Sequence, residues 1–239
     1  MAGSLARLLD AILPVDCAGC GAPAALVCER CAHRLSGPAR VVWPSPTPPG
    51  LPTPWAVTPY AGESRELILA AKERGMVGVR RTLCAALTVS ASTAVAAAAP
   101  AGPVLVVAMP SARRAVRERG EDLMLLMARS VARSLRRDGC DARQVPALRH
   151  GRRVADSAGL SAAARLANLD GAIVVRSGLR PGLAGMDVLV VDDVITTGAS
   201  MAQAARALRD CHARVIGGAA IAATLRTSGR AFGRTPRLG

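Results

Sequence analysis

Residues 188–200 read Val-Leu-Val-Val-Asp-Asp-Val-Ile-Thr-Thr-Gly-Ala-Ser, and no other stretch constrains this chain as strongly. Val188–Val191 has the composition and length of a buried strand. Two adjacent carboxylates, Asp192 and Asp193, follow at once, then a turn carrying hydroxyls and a glycine, then the helix-patterned residues Met201–Cys211. A turn from strand into helix gathers backbone N–H groups at the positive end of the helix dipole, which makes an anion site. Thr196, Thr197 and Ser200 add hydroxyl donors, and Gly198 lets the backbone approach a ligand closely. Two acids beside such a cradle would repel a bare phosphate. They are explained if the ligand also presents hydroxyls or a divalent cation. A ribose 5-phosphate unit does so, with its phosphate at the turn and its 2- and 3-hydroxyls at the acids. Neighbouring acids at a buried strand end are costly without a partner, which argues against chance.

A second signal lies near the N-terminus. Cys17-x-x-Cys20 and Cys28-x-x-Cys31 form two knuckles, and four thiolates at this spacing suit one tetrahedral, structural Zn²⁺. Gly19 and Gly21 permit the tight turn of the first knuckle. Disulfides would need an oxidising compartment. The first residues are amphipathic, interrupted by Arg7 and Asp10, and make a poor export signal, so a cytoplasmic, thiol-reducing location is expected. Cys84, Cys140 and Cys211 are scattered and read as small buried residues.

Strand and helix patterns alternate along the chain, which predicts an α/β fold with a mainly parallel sheet flanked by helices. Four regions are expected: an N-terminal helix and four-cysteine knuckle over residues 1–43, a Pro-rich linker over 44–59, the main domain over 60–226, and a basic tail over 227–239. The linker carries seven prolines and reads as an extended spacer. Helices are expected over Met1–Pro14, from Ser64 to about Arg74, over Thr82–Ala98, Glu121–Arg137 and Ser161–Leu169, besides Met201–Cys211. Strands are expected at Val104–Ala108, Arg143–Leu148, Ala172–Val175, Val188–Val191 and Arg214–Ala223. Ligands of such sheets bind beyond the carboxyl ends of the strands, where Asp192 and Asp193 fall.

With these residues in hand, the chain resembles a known family. Residues 188–200 are similar to the 5-phosphoribosyl 1-pyrophosphate (PRPP) motif of type I phosphoribosyltransferases. Joined to a four-cysteine knuckle, they resemble the ComF family. Further stretches agree: Tyr60–Gly75 with its single lysine, Lys72; Val106–Ser111 followed by Arg119-Gly120; and Asp156–Leu160 with Arg165 and Asn168. The resemblance implies a type I phosphoribosyltransferase-like sheet with a small zinc-binding subdomain. It implies transfer of ribosyl 5-phosphate from PRPP, with Mg²⁺, to an acceptor that the sequence leaves unnamed, a nucleobase being one kind, and release of pyrophosphate. Asp192 and Asp193 would then act on the ribose, and Val194, Ile195, Thr196, Thr197, Gly198, Ala199 and Ser200 would bind PRPP. Lys72, Pro110, Ser111, Arg113, Arg114 and Arg119 would face the pyrophosphate, and Arg149, Asp156 and Arg165 would belong to a flap. The chain departs from the family at Glu121-Asp122-Leu123 and at Ser157. The same resemblance carries an alternative: a nucleic-acid-binding accessory of DNA uptake, with single-stranded DNA or competence proteins as partners.

Net charge is +14, which suits anionic partners. Arginine supplies nearly all of it, clustered at Arg113–Arg119, Arg129–Arg143, Arg149–Arg153 and Arg226–Arg237. Arg133, Arg136 and Arg137 fall on the polar side of a helix whose apolar side is Leu123, Met127, Val131 and Leu135, so a solvated basic face explains them equally well. Only four residues are aromatic, which counts against stacking on single strands. No stretch reads as membrane-spanning: the longest weakly polar run, Cys84–Pro100, is Ala/Thr/Ser-rich and too short to cross a bilayer comfortably. The chain has no Gly-x-x-x-x-Gly-Lys loop, no His-Glu-x-x-His and no Gly-x-Gly-x-x-Gly after a strand, so ATP hydrolysis, zinc hydrolysis and dinucleotide binding are unsupported. Of the histidines, His150 beside the flap is the one to consider as an acceptor-site base; His33 and His212 read as structural. The oligomeric state is open.

Overall fold

The computed structural model describes residues 16–151 and 173–224. The helices expected over Met1–Pro14 and Ser161–Leu169, and the basic tail, lie outside the described residues. In chain order the elements are α1 (Glu29–Arg34), β1 (Arg40–Val41), β2 (Pro54–Pro59), α2 (Gly62–Lys72), a 3₁₀ turn (Val77–Val79), α3 (Arg80–Ala98), β3 (Val104–Ala108), α4 (Arg113–Arg119), α5 (Leu123–Arg137), β4 (Ala142–Gln144), β5 (Leu148–His150), β6 (Ile173–Val175), two 3₁₀ turns (Ser177–Leu179, Pro181–Leu183), β7 (Asp187–Ile195), α6 (Ala199–Arg209) and β8 (Arg214–Ala223).

Six strands form one sheet in the order β1-β2-β8-β7-β3-β4, and β5 and β6 form a separate antiparallel pair. Every pairing in the large sheet is parallel except β1 with β2. The expected mainly parallel α/β architecture is therefore present. Its inner strands β3 and β7 are buried valine-rich runs, as both-faced burial requires. Alternation splits the core in two. Val104, Val106, Leu189 and Val191 face one cluster with α2, α3 and α5, while Leu105, Val107, Val188 and Val190 face the other with α6 and the β5–β6 pair.

Strand β8 is built of alanine and glycine because helices crowd both its faces. A Cβ on Gly218 would stand 2.3 Å from Met201 Sδ, and one on Gly217 3.5 Å from Ala94 Cβ. Ser90 of α3 ties helix to sheet by donating to Ala220 O at 2.7 Å. Helix α5 buries Leu123, Met127, Val131 and Leu135, the face its periodicity predicts, each worth about 1.5–3 kcal/mol. Asp122 caps it, accepting from Leu125 N–H at 3.2 Å. The segment Val77–Ala98 has the length and apolar composition of a membrane span. Its buried residues Leu83, Ala86, Leu87, Ala91 and Ala94 pack in the core beside the sheet, which accounts for that composition.

Four details differ from the sequence expectation. The Pro-rich stretch is not wholly a spacer: its last six residues enter the sheet as β2, parallel to β8. Pro54 and Pro59 sit at the two ends of that strand, where a missing N–H is tolerated best. The strand expected over Arg143–Leu148 is split into β4 and β5 at Pro146, and α4 forms where no helix was expected. The cysteine knuckle is also joined to the main core, because Cys17, Cys31 and Leu35 are buried with Leu67 and Ile68. A Cβ on Gly78 would meet Leu26 Cδ2 at 2.2 Å, so the knuckle's Leu26 rests on a glycine.

Candidate active site

The acids stand at the carboxyl end of the sheet's central strand. β7 does not stop at Val191 but continues through both acids to Ile195, with Asp192 opposite Ala220. Asp193 is 6% exposed, while Asp192 keeps partial access to solvent. Asp193 has a cationic partner within the chain. Lys72 Nζ, from the last turn of α2, stands 2.5 Å from Asp193 Oδ2. The pair joins residues 121 positions apart, and a lone acid on that face would be costly. Burial would lower the Lys72 ammonium, but Asp193, helped by Asp192 and Tyr60, outweighs it and raises its pKa above the ordinary value. Asp192 is pushed well above the usual carboxylate range, first by burial and then by the Asp193 charge, although its Oδ1 accepts Asp193 N–H at 2.9 Å.

Beyond Ile195 the chain turns into α6. Thr196, Thr197 and Ser200 are exposed, Val194 and Ala199 partly so. Ile195 is 2% exposed and belongs to the core, so its side chain has no reach to a ligand. Gly198 adopts φ +75°, and a Cβ there would stand 2.9 Å from Leu51 Cδ2 and 3.2 Å from Pro44 Cγ. Glycine is thus required both by conformation and by the Pro-rich segment packed on the loop. The first helical bond runs from Ala202 N–H to Gly198 O at 2.9 Å, and Thr197 Oγ1 accepts Ala199 N–H at 3.4 Å. The remaining first-turn N–H groups have no carbonyl within the helix, as at any helix start, and point where an anion would sit.

The residues expected on the pyrophosphate side divide. Pro110, Ser111 and Arg113 follow β3 and line a small cleft of about 80 Å³ with Arg149, His150 and Arg176. Ser111 Oγ donates to Asp122 at 2.7 Å, so that hydroxyl serves the α5 cap. Arg114 is exposed and donates to Glu118 at 2.7 Å. Arg119 Nη1 donates to Lys72 O at 2.7 Å, which makes it a brace for the lysine backbone. Sequence reasoning missed Arg176, held by its own N–H to Ala147 O at 2.8 Å. Its one signal was a charge directly after a short apolar strand. Asp156 and Arg165 lie outside the described residues.

At the knuckle the four sulfurs lie within 4.8 Å of one another, with Cys17 and Cys31 buried. A Zn–S distance near 2.3 Å puts tetrahedral sulfurs about 3.8 Å apart, and Cys20 and Cys28 are 3.6 Å apart. Burial would raise the Cys17 thiol, but N–H groups of Cys28, Cys20 and Gly19 outweigh it and bring it to about 6. Cys31 is pushed up, chiefly by burial. A Cβ at Gly19 would come within 3.1 Å of both Cys31 Sγ and Leu67 Cγ, so a larger residue there would crowd the knuckle. The donor set fits a structural zinc with no open position.

A family model described as the phosphoribosyl transferase domain matches residues 125–231, somewhat under half of the chain. The match takes in the acid pair, the loop and β8, and leaves out the knuckle, Lys72 and β3. No curated protein matches the chain. Residues 125–231 are thus similar to a phosphoribosyl transferase domain, in a chain with a mainly parallel sheet and a four-cysteine cluster packed against its core. That domain supports phosphoribosyl transfer in general.

Proposed function

We propose that the chain transfers the 5-phosphoribosyl group of PRPP to an acceptor nucleophile and releases pyrophosphate, as a ComF-family enzyme of the thiol-reducing cytoplasm. The observation that carries this reading is the placing of Asp192 and Asp193 at the end of β7 directly before the Thr196–Ser200 turn into α6. The acceptor's lone pair forms the new bond at the anomeric carbon as the bond to the pyrophosphate oxygen breaks, and the acceptor's proton passes to solvent or to a base such as His150. Bound Mg²⁺ would neutralise the pyrophosphate charge, with Asp192 the accessible carboxylate for it or for the ribose hydroxyls. The exposed hydroxyls and first-turn N–H groups of Thr196–Ser200 hold the 5-phosphate. Arg113, Arg149 and Arg176 line the cleft suited to the leaving group. Placement and charge supply most of the barrier reduction, and removing one such group costs about 2.7–4 kcal/mol.

Calorimetric titration of PRPP with Mg²⁺ into the wild type and Asp192→Asn/Asp193→Asn tests the reading. Saturable heat in the first and none in the second is expected, whereas equal heats from both would end it. One observation favours a second reading. Ser130, Arg133, Arg136 and Arg137 line an open cleft of about 510 Å³ on the outer side of α5, suited to the phosphates of a single-stranded nucleic acid. In that case DNA affinity falls steeply with salt, and Arg133→Gln/Arg137→Gln loses it with PRPP binding intact.

A further inference from the structure

We propose that the cysteine knuckle is the positioning element for Lys72, so that metal in the four-cysteine site fixes the ammonium that pairs with Asp193. Helix α2 carries Lys72 in its last turn. Among the described residues it packs chiefly on α1 of the knuckle, on the 3₁₀ turn Val77–Val79 and on α3, and on no strand of the large sheet to that extent. The knuckle therefore supplies a large part of what holds this helix.

Its contacts fall on both sides of Lys72. On the N-terminal side, a Cβ on Gly19 would stand 3.1 Å from Leu67 Cγ and 3.3 Å from Glu63 O, so the knuckle backbone lies directly on the helix. Arg34 Nε is 3.6 Å from Glu63 Oε2, and Cys17, Cys31 and Leu35 share one buried cluster with Leu67 and Ile68. On the C-terminal side, Arg74 Nη2 donates to the knuckle's Ala18 O at 3.3 Å and to Glu66 O at 3.1 Å, and Leu26 rests on Gly78. Leu67 and Lys72 are little more than one helical turn apart, about 7.5 Å along the axis, so a shift at the knuckle is carried to the lysine. The knuckle depends in turn on its metal: α1 is six residues long with no side-chain cap, too short to hold by itself, and four thiolates on one ion would close it. Lys72 needs the support, because its side chain is 43% exposed and such a pair is weak by attraction alone. Without it Asp193 is left buried and short of its partner, which disfavours an anionic ligand beside the acids. That last consequence rests on the function proposed above; the coupling of knuckle to ion pair does not.

Lys72 is the sole lysine of the chain, so its side chain can be read alone. The full zinc-loaded chain is pulse-labelled at neutral pH with an amine-acylating reagent, and the rate at Lys72 is followed by peptide mass spectrometry. An ammonium held on a carboxylate reacts slowly, and Asp193→Asn marks the rate of a released one. Leu26→Ala/Arg74→Gln, with its zinc content confirmed, should label faster by about threefold or more, the scale of a half-exposed ion pair. Withdrawing zinc from the wild type with a chelator should accelerate labelling likewise, and restoring zinc should reverse it. Leu135→Ala, on α5, which packs on α3 and the sheet, should label like the wild type. A Leu26→Ala/Arg74→Gln chain or a chelated wild type that labels at the loaded wild-type rate overturns the proposal. Equal acceleration in Leu135→Ala also overturns it, by making the effect one of global stability. A knuckle that governs the Lys72 rate in a chain that fails to bind PRPP leaves this inference standing and removes the function proposed above.

Discussion

Asp192→Asn should make the unliganded protein more stable while it abolishes sugar-phosphate binding. Asp192 sits beside the buried Asp193, and burial together with that charge raises its pKa well above the usual carboxylate range. A carboxyl with a raised folded-state pKa favours the native state when protonated and disfavours it when charged. At an effective dielectric near 20, two unit charges about 4 Å apart interact by ~4 kcal/mol, which bounds the repulsion between the acids from above. Lys72 offsets part of this, being 2.5 Å from Asp193. An asparagine removes the repulsion and the desolvation of a charge, and its Oδ1 keeps the bond from Asp193 N–H. A net gain of about 1–2 kcal/mol is expected, the usual yield of relaxing a strained functional site. For a chain of this size that raises Tm by about 2–8 °C. Calorimetric melting of both proteins from pH 3.5 to 8 measures it. The sign is fixed by linkage: the advantage of the variant is absent below the unfolded aspartate value near 3.9, grows as pH rises through the folded value, and then stays level. A variant no more stable than the wild type at pH 7, or one whose advantage is undiminished at pH 3.5, would refute the electrostatic account of the acid pair.

Lys72→Met should destabilise the chain by about 1–3 kcal/mol at pH 7, between the values for exposed and buried pairs, because Asp193 is 6% exposed and the Lys72 side chain 43%. Since the folded-state pKa of Lys72 is raised, its contribution is full below the free lysine value near 10.4 and fades as pH rises through the folded value, so urea titrations of the two proteins should converge in alkali. Elemental analysis should find one zinc per chain, lost in Cys20→Ser and kept in Cys84→Ser. Chelation should lower stability by about 3 kcal/mol or more, less than in isolated zinc fingers because the knuckle also rests on Leu67 and Gly78.

The strand, acids and glycine turn of residues 188–200, the cysteine spacing and the apolar face of α5 were legible in the sequence. Each is a pattern completed within a few residues, so backbone periodicity and local chemistry suffice to specify it. The alternation of strands and helices likewise gave the parallel sheet, since a parallel pair needs a crossover. Other features depend on contacts that no local pattern encodes. Pro54–Pro59 joins the sheet because β8 offers it a free parallel edge, although its composition reads as linker. The knuckle shares the main core because Leu67 and Gly78 accept it. Lys72 reaches Asp193, and Arg119 braces Lys72, only because α2 and α4 pack on one side of the same strand ends. Sequence therefore determined which groups exist and on what elements they ride. The tertiary fold decided which acid is already paired, because burial and charge pairing depend on neighbours distant along the chain.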